Sequence, residues 1–575
     1  MSDAGEPKFS KEEFLKEGSR QLRGSIAQEL GEETDSFVED NVKLLKHHGT
    51  YQQDDKDHRK DKNVDGTRKG KAYMFMVRTR VPGGKVTAEQ LLAELDLCER
   101  YGNGTLRITS RQGFQLHGVL KQNLREAIRG INRTMLTTLA ACGDVERNVM
   151  CCPAPYNGNP VRRQMQEMAD RVAEHLKPRT TGYYEIWLKD EDGQKIDVTE
   201  FQPVEEPIYG PRYLPRKFKT AFALPEDNCV ELYSNDLGFL GIVEKDAIVG
   251  YNVLVGGSMG VTPSAHKTFP AVARRLTFVT PDQVLDVAEA IVKVQRDFGN
   301  REDRKVARMK YLIANWGIPK FKEKVEEYYG RSLPEPNPID VTDVDDHLGW
   351  HDQGDGKLFL GINIENGRIK DEGDLRIKTG IRTLLEKYGM RCRLTPLQSL
   401  ILCDVDPTER KTIERILREH GIKLDGELSL LRRFAIACPA FPTCGLSITE
   451  SERVMPQLID ALEAETARLG LADERITVHM TGCPNGCARP YTPEIGLVGK
   501  TLGKYTILVG GNATGTRLNF IYKDLVPFDD IVPALAPLLA WYKAERQNGE
   551  SLGDFCHRLG KDALLAHAER TAVQA

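Results

Sequence analysis

Four cysteines fall in two tight pairs. Cys438 and Cys444 have five residues between them, in ACPAFPTCG; after 38 intervening residues, Cys483 and Cys487 have three between them, in TGCPNGCAR. Thiolates are soft ligands that suit iron, zinc or copper. Structural zinc sites usually keep about two to four residues between paired thiols, and the first pair here has five. The second pair sits in a run of Gly and Pro. Such a turn leaves room for inorganic sulfides and points backbone N–H groups toward them. The spacing therefore favours a cubane iron–sulfur cluster over tetrahedral zinc or inert buried thiols, and with it electron transfer. Cys98, Cys142, Cys229, Cys392, Cys403 and Cys556 are isolated and read as small buried apolar groups. Cys151 and Cys152 are adjacent, a poor arrangement for chelating one ion.

Cations form the second constellation. Arg78 with Arg80, Arg107 with Arg111, Arg147, LPRKFKT (214–220) and RKVARMK (304–310) have little acid nearby. Lys217 and Lys219 alternate, as on one face of a strand, and Arg107 and Arg111 in a strand-like run are expected to share a face too. Such a set suits a polyanionic cofactor or a small oxyanion: arginine for planar carboxylates, lysine for a compact anion and for proton delivery.

The elements that must position these residues occur twice. MFMVRTRVPGG (74–84) has a counterpart in LFLGINIENGR (358–368), and RITSRQGFQLHGV (107–119) in RLTPLQSLILCDV (393–405). Each pair frames a strand–helix–strand–helix unit of the split-βαβ kind. RNVMCCPAP (147–155) answers RRFAIACPAF (432–441), and YNVLVGGSMG (251–260) answers YTILVGGNATG (505–515). The expected fold is a mixed α/β (α+β) protein, internally duplicated, with small ferredoxin-like units and larger α/β units about a pseudo-twofold axis. The expected divisions are an N-terminal arm (1–70), a first ferredoxin-like half (71–140), an α/β domain (141–345), a second ferredoxin-like half (346–427) and an α/β domain carrying the cysteines (428–575). Residues 51–70 read as a solvated loop, with an arm over another domain as the alternative. The copies differ in kind: Arg78 aligns with Ile362 and Arg111 with Leu397, so one half looks anion-binding and the other electronic. The Gly-rich strand ends VLVGGSMG and ILVGGNATG lack the dinucleotide-binding GxGxxG and read as turns against a flat cofactor.

Bulk properties exclude several classes. The chain has 575 residues, 40% hydrophobic and 29% charged, with a formal net charge of -4. That balance does not favour nucleic acid as a partner. No apolar run reaches the roughly 18 residues of a membrane span, and MSDAGEPKFSKEEFLKEGSR has no apolar core for a secretory signal. Twelve irregular cysteines fit a reducing cytoplasm better than a disulfide scaffold.

GSRQLRGSIAQEL, HHGTYQQDD, TRVPGG, LRITSRQGFQLHG, YLPRKFKT, YNVLVGGSMG, CPAFPTCG and TGCPNGCARP together, spanning about residues 10 to 560, resemble the siroheme-containing sulfite/nitrite reductase family, on the side of the assimilatory sulfite reductase hemoprotein (beta) subunits. The resemblance implies a 4Fe-4S cluster on Cys438, Cys444, Cys483 and Cys487, with Cys487 shared with the siroheme iron. It implies that Arg78, Arg147, Lys217 and Lys219 surround sulfite. Arg107, Arg111, Arg304, Arg308, Gln398 and Asn485 would contact the siroheme and its acid groups. Arg308 stands where lysine is expected, and Gly445 and Ser447 where Pro and Ala are expected. The implied activity is six-electron reduction of sulfite to sulfide. Electrons would come from a separate flavoprotein subunit using NADPH, with ferredoxin as the second candidate donor, and the N-terminal segment is a candidate docking arm. The rival expectations are a siroheme nitrite reductase, a heme-free iron–sulfur relay and a zinc-bearing structural protein.

Overall fold

The computed structural model describes residues 8–63, 67, 69–180, 182–183, 187–189, 191–197 and 206–574. Its main sheets are four, each five-stranded, in two matched pairs. The first small sheet runs Thr50–Asp54, Tyr73–Arg78, Phe114–Val119, Leu106–Ile108, and ends on Arg368–Ile369 from the other half. The second runs Gly349–Asp352, Leu358–Ile362, Leu400–Val405, Cys392–Leu394, and ends on Lys85–Val86 from the first half. Each half thus lends the other an edge strand, with Arg368 opposite Arg107 and Arg393 opposite Lys85. The exchange closes one edge of each sheet, where unpaired backbone groups would otherwise lie open.

Helices Ala88–Arg100, Leu124–Arg133, Ile377–Tyr388 and Arg410–Glu419 belong to these sheets. Thr87 starts the first with a capping box, its hydroxyl accepting from Gln90 N and Gln90 returning the bond. Leu124, Ala127 and Ile131 make the buried stripe of the second. Both small units share a single apolar core containing Leu91, Leu95, Leu116, Ile381, Leu384 and Leu402. They are two lobes of one body.

The large sheets also match strand for strand. Met150–Cys151, Thr220–Ala223 and Leu237–Glu244 are parallel, and Ala247–Val255 and Arg274–Val279 continue antiparallel. Ala435–Ala437, Val478–Thr481, Ile495–Thr501, Lys504–Val509 and Phe520–Pro527 repeat that order and polarity. Thr220–Ala223 and Val478–Thr481 are buried along their whole length, as central parallel strands are.

The duplication predicted from the sequence is therefore present, with three local corrections and one addition at the Gly-rich strand ends. Residues 50–54 are a strand of the first sheet, ahead of the expected boundary at 71. The stretch after them is largely exposed but tied down at its start, closer to the alternative of an arm over another domain. Lys56 N donates to Pro442 O at 3.1 Å, its ammonium donates to Ser447 O at 2.6 Å, and Asp57 pairs with Arg453 at 2.7 Å. It straps the loop that carries Cys444; residues 64–66 and 68 of the same stretch lie outside the described residues. Arg107 and Arg111 do not share a face, because the strand ends at Ile108 and a turn closed by Gln112 N to Thr109 O (3.0 Å) removes the alternation. The Gly-rich strand ends make room for backbone. A Cβ on Gly257 would lie 2.1 Å from Tyr233 O, and one on Gly511 2.0 Å from Thr492 O. Gly511→Ala should accordingly lower the thermal unfolding midpoint, with a stability loss at or above about 1–3 kcal/mol.

Candidate active site

Strands Ala435–Ala437 and Val478–Thr481 run parallel, with Ala437 beside Met480, so their carboxyl ends deliver Cys438 and Cys483 to one place. The carboxyl ends of parallel strands are where α/β sheets build ligand sites. Cys444 N donates to Ala440 O at 2.8 Å, which folds the second thiol back toward the first. Gly482 N donates to Cys438 Sγ, and Asn485 Nδ2 to Cys483 Sγ, each at 3.4 Å. Gly486 has φ of 64°, and a Cβ there would meet Met259 O at 3.0 Å, so the first half forms the floor under this turn. Cys438 and Cys483 are buried, Cys444 is half-buried and Cys487 alone of the twelve cysteines is exposed.

Burial, then the neighbouring thiols, push the Cys438 and Cys444 thiols up; the same causes push Cys483 up to about 11. Four thiolates can coexist here only around a cation. This donor set fits a thiolate-bound metal cluster, with Cys487 as the one sulfur open on its far side.

Near Cys487 lies a cluster of cations, close enough for the thiol to act on Lys217 and Arg147. Residues 145–147 and 217–219 run side by side: Phe218 N donates to Val145 O at 3.0 Å, and Arg147 N to Phe218 O at 3.1 Å. Phe218 is buried, and Lys217 and Lys219 flank it, so the alternation read from the sequence holds. Arg147 donates to Ala141 O at 3.2 Å, and its Nε has no partner among the described residues. Arg78 ends its strand and donates to Cys142 Sγ at 3.2 Å. No carboxylate lies within ion-pair distance of Arg78, Arg147, Lys217 or Lys219 among the described residues. Burial, then Arg216, Arg147 and Arg308, bring the Lys217 ammonium down to about 7. Burial, then Arg111 and Arg308, hold Lys219 well below its ordinary range. The Cys487 thiol opposes this at Lys217 and also acts on Arg147. Arg147 is buried and Arg78, Lys217 and Lys219 are half-buried; a set of like charges so placed, with no acid to answer it, is a site for an anion.

The remaining expected residues divide. Arg111 borders the pocket, donating to Asn235 Oδ1 at 2.8 Å and Asn148 O at 2.6 Å, with Nε unpartnered among the described residues. Arg308 is held by Asp236 at 2.6 Å. Gln398 does structural work at the turn between its strands, accepting from Ala437 N at 3.1 Å and donating to Asn366 O at 3.2 Å. Two further cations expected to meet a cofactor's acids are, like Arg308, already paired: Arg304 with Asp144 at 2.8 Å, and Arg107 with Glu452. Their fold neighbours supply those acids, which the local sequence does not reveal.

Several residues escaped the sequence reading. Cys142 is no inert apolar group. Burial raises its thiol, but Arg147 and Arg78 outweigh that and bring it down to about 6, and the Tyr51 hydroxyl meets its sulfur. Arg489, two residues beyond Cys487, pairs with Glu231 of the first half at 2.6 Å and donates to Ser110 O (3.0 Å) and Pro396 O (3.3 Å). Ser110 Oγ in turn donates to Cys487 O at 3.1 Å. One guanidinium thereby fixes the exposed thiol against both halves. TGCPNGCAR contains Arg489 and so offered the only local signal for it.

The comparisons agree with this geometry. The family described as "Nitrite and sulphite reductase 4Fe-4S domain" matches residues 168–333 and 432–574. "Nitrite/Sulfite reductase ferredoxin-like half domain" matches 67–133 and 351–420. The chain belongs to the nitrite and sulfite reductase family. It is 44% identical over 564 residues to the sulfite reductase (NADPH) hemoprotein beta-component of Staphylococcus haemolyticus (strain JCSC1435), covering 97% of this chain and 96% of that protein. It is 42% identical over 586 residues to the sulfite reductase (ferredoxin) of Synechococcus elongatus, covering 99% and 92%. Among solved structures, the Mycobacterium tuberculosis NirA protein superposes with a TM-score of 0.77 at 25% identity, over 97% of this chain and 98% of that one. No helix among the described residues is long and apolar enough to cross a membrane.

Arg489→Ala leaves Glu231 buried without its cation. It should cost about 3–5 kcal/mol, read as a lowered unfolding midpoint, and Arg489→Lys should recover part of that loss.

Proposed function

We propose that this chain reduces sulfite to sulfide as the hemoprotein component of an assimilatory sulfite reductase. Cys438, Cys444, Cys483 and Cys487 would hold a 4Fe-4S cluster, with Cys487 also ligating a siroheme. The observation that carries the reading is the exposed Cys487 thiol close enough to act on Lys217 and Arg147, within a cluster of buried and half-buried cations that have no acid partners among the described residues. When bound, the paired cofactors supply single electrons and an iron to which the sulfur of the substrate binds.

The chain's own residues then do three things. Asn485 and the N–H groups of the cysteine turns stabilise thiolate charge. Arg111, whose Nε has no partner among the described residues, would meet carboxylates of the ring, with Arg308 beside it held by Asp236. Arg78, Arg147, Lys217 and Lys219 bind the oxyanion and draw negative charge onto the departing oxygens. Six electrons and seven protons convert the sulfite dianion to hydrosulfide and three waters, so each oxygen leaves only if protonated. Lys217, held at about 7, can give a proton at neutral pH and take one back from solvent. Four cations favour a dianion over a smaller monoanion, which supports sulfite over nitrite.

Electrons come from a separate protein in this reading. The relatives of Staphylococcus and Geobacillus are named NADPH enzymes, and they support a flavoprotein subunit as donor. The Synechococcus relative is named for ferredoxin, the second reading. A cytoplasmic location follows from the need for reduced thiols and a reduced-nucleotide supply.

The purified chain should show strong red absorption bands that shift with sulfite and with carbon monoxide; a bare cluster gives none. Lys217→Met and Lys219→Met should each lose sulfide formation, with oxyanion binding weakened by about 1.5–3 kcal/mol. Lys217 is charged below about 7 and neutral above it, so kcat/KM for sulfite should fall as pH rises through that value. Lys217→Arg should move this limb upward. Near-normal sulfide production by both Met variants contradicts the assignment.

A further inference from the structure

The first half carries a second set of metal-ligating side chains. One ligand atom each from Cys152, Asp227, Cys229 and His347 lies within 4.8 Å of all the others, and every one of these residues is 1% exposed. They come from three distant places in the chain. Cys152 follows strand Met150–Cys151, Asp227 and Cys229 form the turn after Thr220–Ala223, and His347 ends the linker into the second half. This is the position that the 4Fe-4S cysteines occupy in the other half. Cys438 follows Ala435–Ala437, and Cys483 and Cys487 follow Val478–Thr481, the matching strands of the matching sheet.

The donors are already aimed. Asp227 Oδ1 accepts from Cys229 N at 3.2 Å, which turns Oδ2 inward, 2.8 Å from Cys152 Sγ and 3.1 Å from His347 Nε2. His347 Nε2 is 3.4 Å from Cys152 Sγ. Its other ring nitrogen lies 3.4 Å from Asp345 Oδ2, and Asp345 Oδ1 accepts the His347 N–H at 2.9 Å. A carboxylate behind the ring orients a metal-binding histidine in this way. His347 has φ of 58°, a left-handed conformation that a histidine rarely adopts, and it brings the ring into the cluster.

We infer that Cys152, Asp227, Cys229 and His347 form a closed, mononuclear zinc site that pins the linker between the halves to the first large sheet. Two thiolates, an imidazole and a carboxylate fill a tetrahedral zinc shell and leave no open position, which marks a structural site. Bonds of about 2.0–2.3 Å set ligand separations near 3.3–3.8 Å, so the 2.8 and 3.1 Å contacts at Asp227 must open by a few tenths of an ångström while no pair starts more than 4.8 Å apart. The filled shell carries one net negative charge. Arg162, whose Nη1 is 3.0 Å from both Cys152 Sγ and Asp227 Oδ2, offsets it. Each thiol loses its proton to solvent on binding, and no electron moves.

Metal analysis of the purified, cofactor-loaded protein tests this. We expect about one zinc per chain beyond its iron, retained through dialysis against EDTA, and a zinc-edge X-ray absorption shell of two sulfurs at about 2.3 Å plus nitrogen and oxygen. Cys229→Ser and His347→Gln should lose that zinc while keeping the cluster and siroheme absorbance per chain. Zinc below roughly a tenth per chain in wild-type protein from zinc-supplied cells overturns the inference. So does a Cys152–Cys229 disulfide found by mass spectrometry, or zinc that stays undiminished in both variants. If the variants do not fold, the wild-type absorption shell still decides: zinc without a two-sulfur shell is adventitious and contradicts the site.

Discussion

Like charges held together and partly out of water repel, and this protein keeps Arg78, Arg147, Lys217 and Lys219 in one cluster, Arg147 buried and the others half-buried, with no carboxylate paired to them among the described residues. Such a pocket is unstable by itself, and its walls must be rigid enough to prevent both its collapse and its neutralisation by a nearby acid. The acids are present but occupied: Asp144 holds Arg304, Asp236 holds Arg308 and Glu452 holds Arg107. The four unanswered cations are left for an anion. Beside them stands Cys487, the one exposed thiol of a set whose other members are buried or half-buried.

The duplicated architecture explains how this juxtaposition is held. Each small sheet closes on a strand from the other half, and both lobes share one core. The turns at Gln112 and Gln398 have the same left-handed φ, and each grips the start of its large unit, at Cys151 N and Ala437 N. Arg489 then ties the cysteine turn to Glu231 across the junction. One half contributes the thiolates and the other the cations, so the site exists only where the two meet.

Much of this was legible in the sequence because it rests on short spacings. The cysteine pairs, the repeated strand motifs and the alternation of Lys217 and Lys219 are local patterns, and the structure preserves them. What failed depended on where the chain reverses or on partners far away. The turn at Thr109–Gln112 separates Arg107 from Arg111, and nothing in RITSR marks it. The acid that occupies Arg304 lies 160 residues away. Cys142 and Cys229 look isolated in a linear reading, yet one meets Arg78 and the other shares a ligand cluster with Cys152 and His347. The polar stretch after Tyr51 has the composition of a loop but straps the Cys444 segment through Lys56 and Asp57.

In the proposed site Cys487 would hold both the cluster and the siroheme. Low-temperature magnetic spectroscopy of wild type and of Cys487→Ser measures this directly. Exchange coupling between the siroheme and the cubane in wild type, abolished in Cys487→Ser together with sulfide formation, is the predicted result. Coupled centres and undiminished sulfide in Cys487→Ser would contradict it.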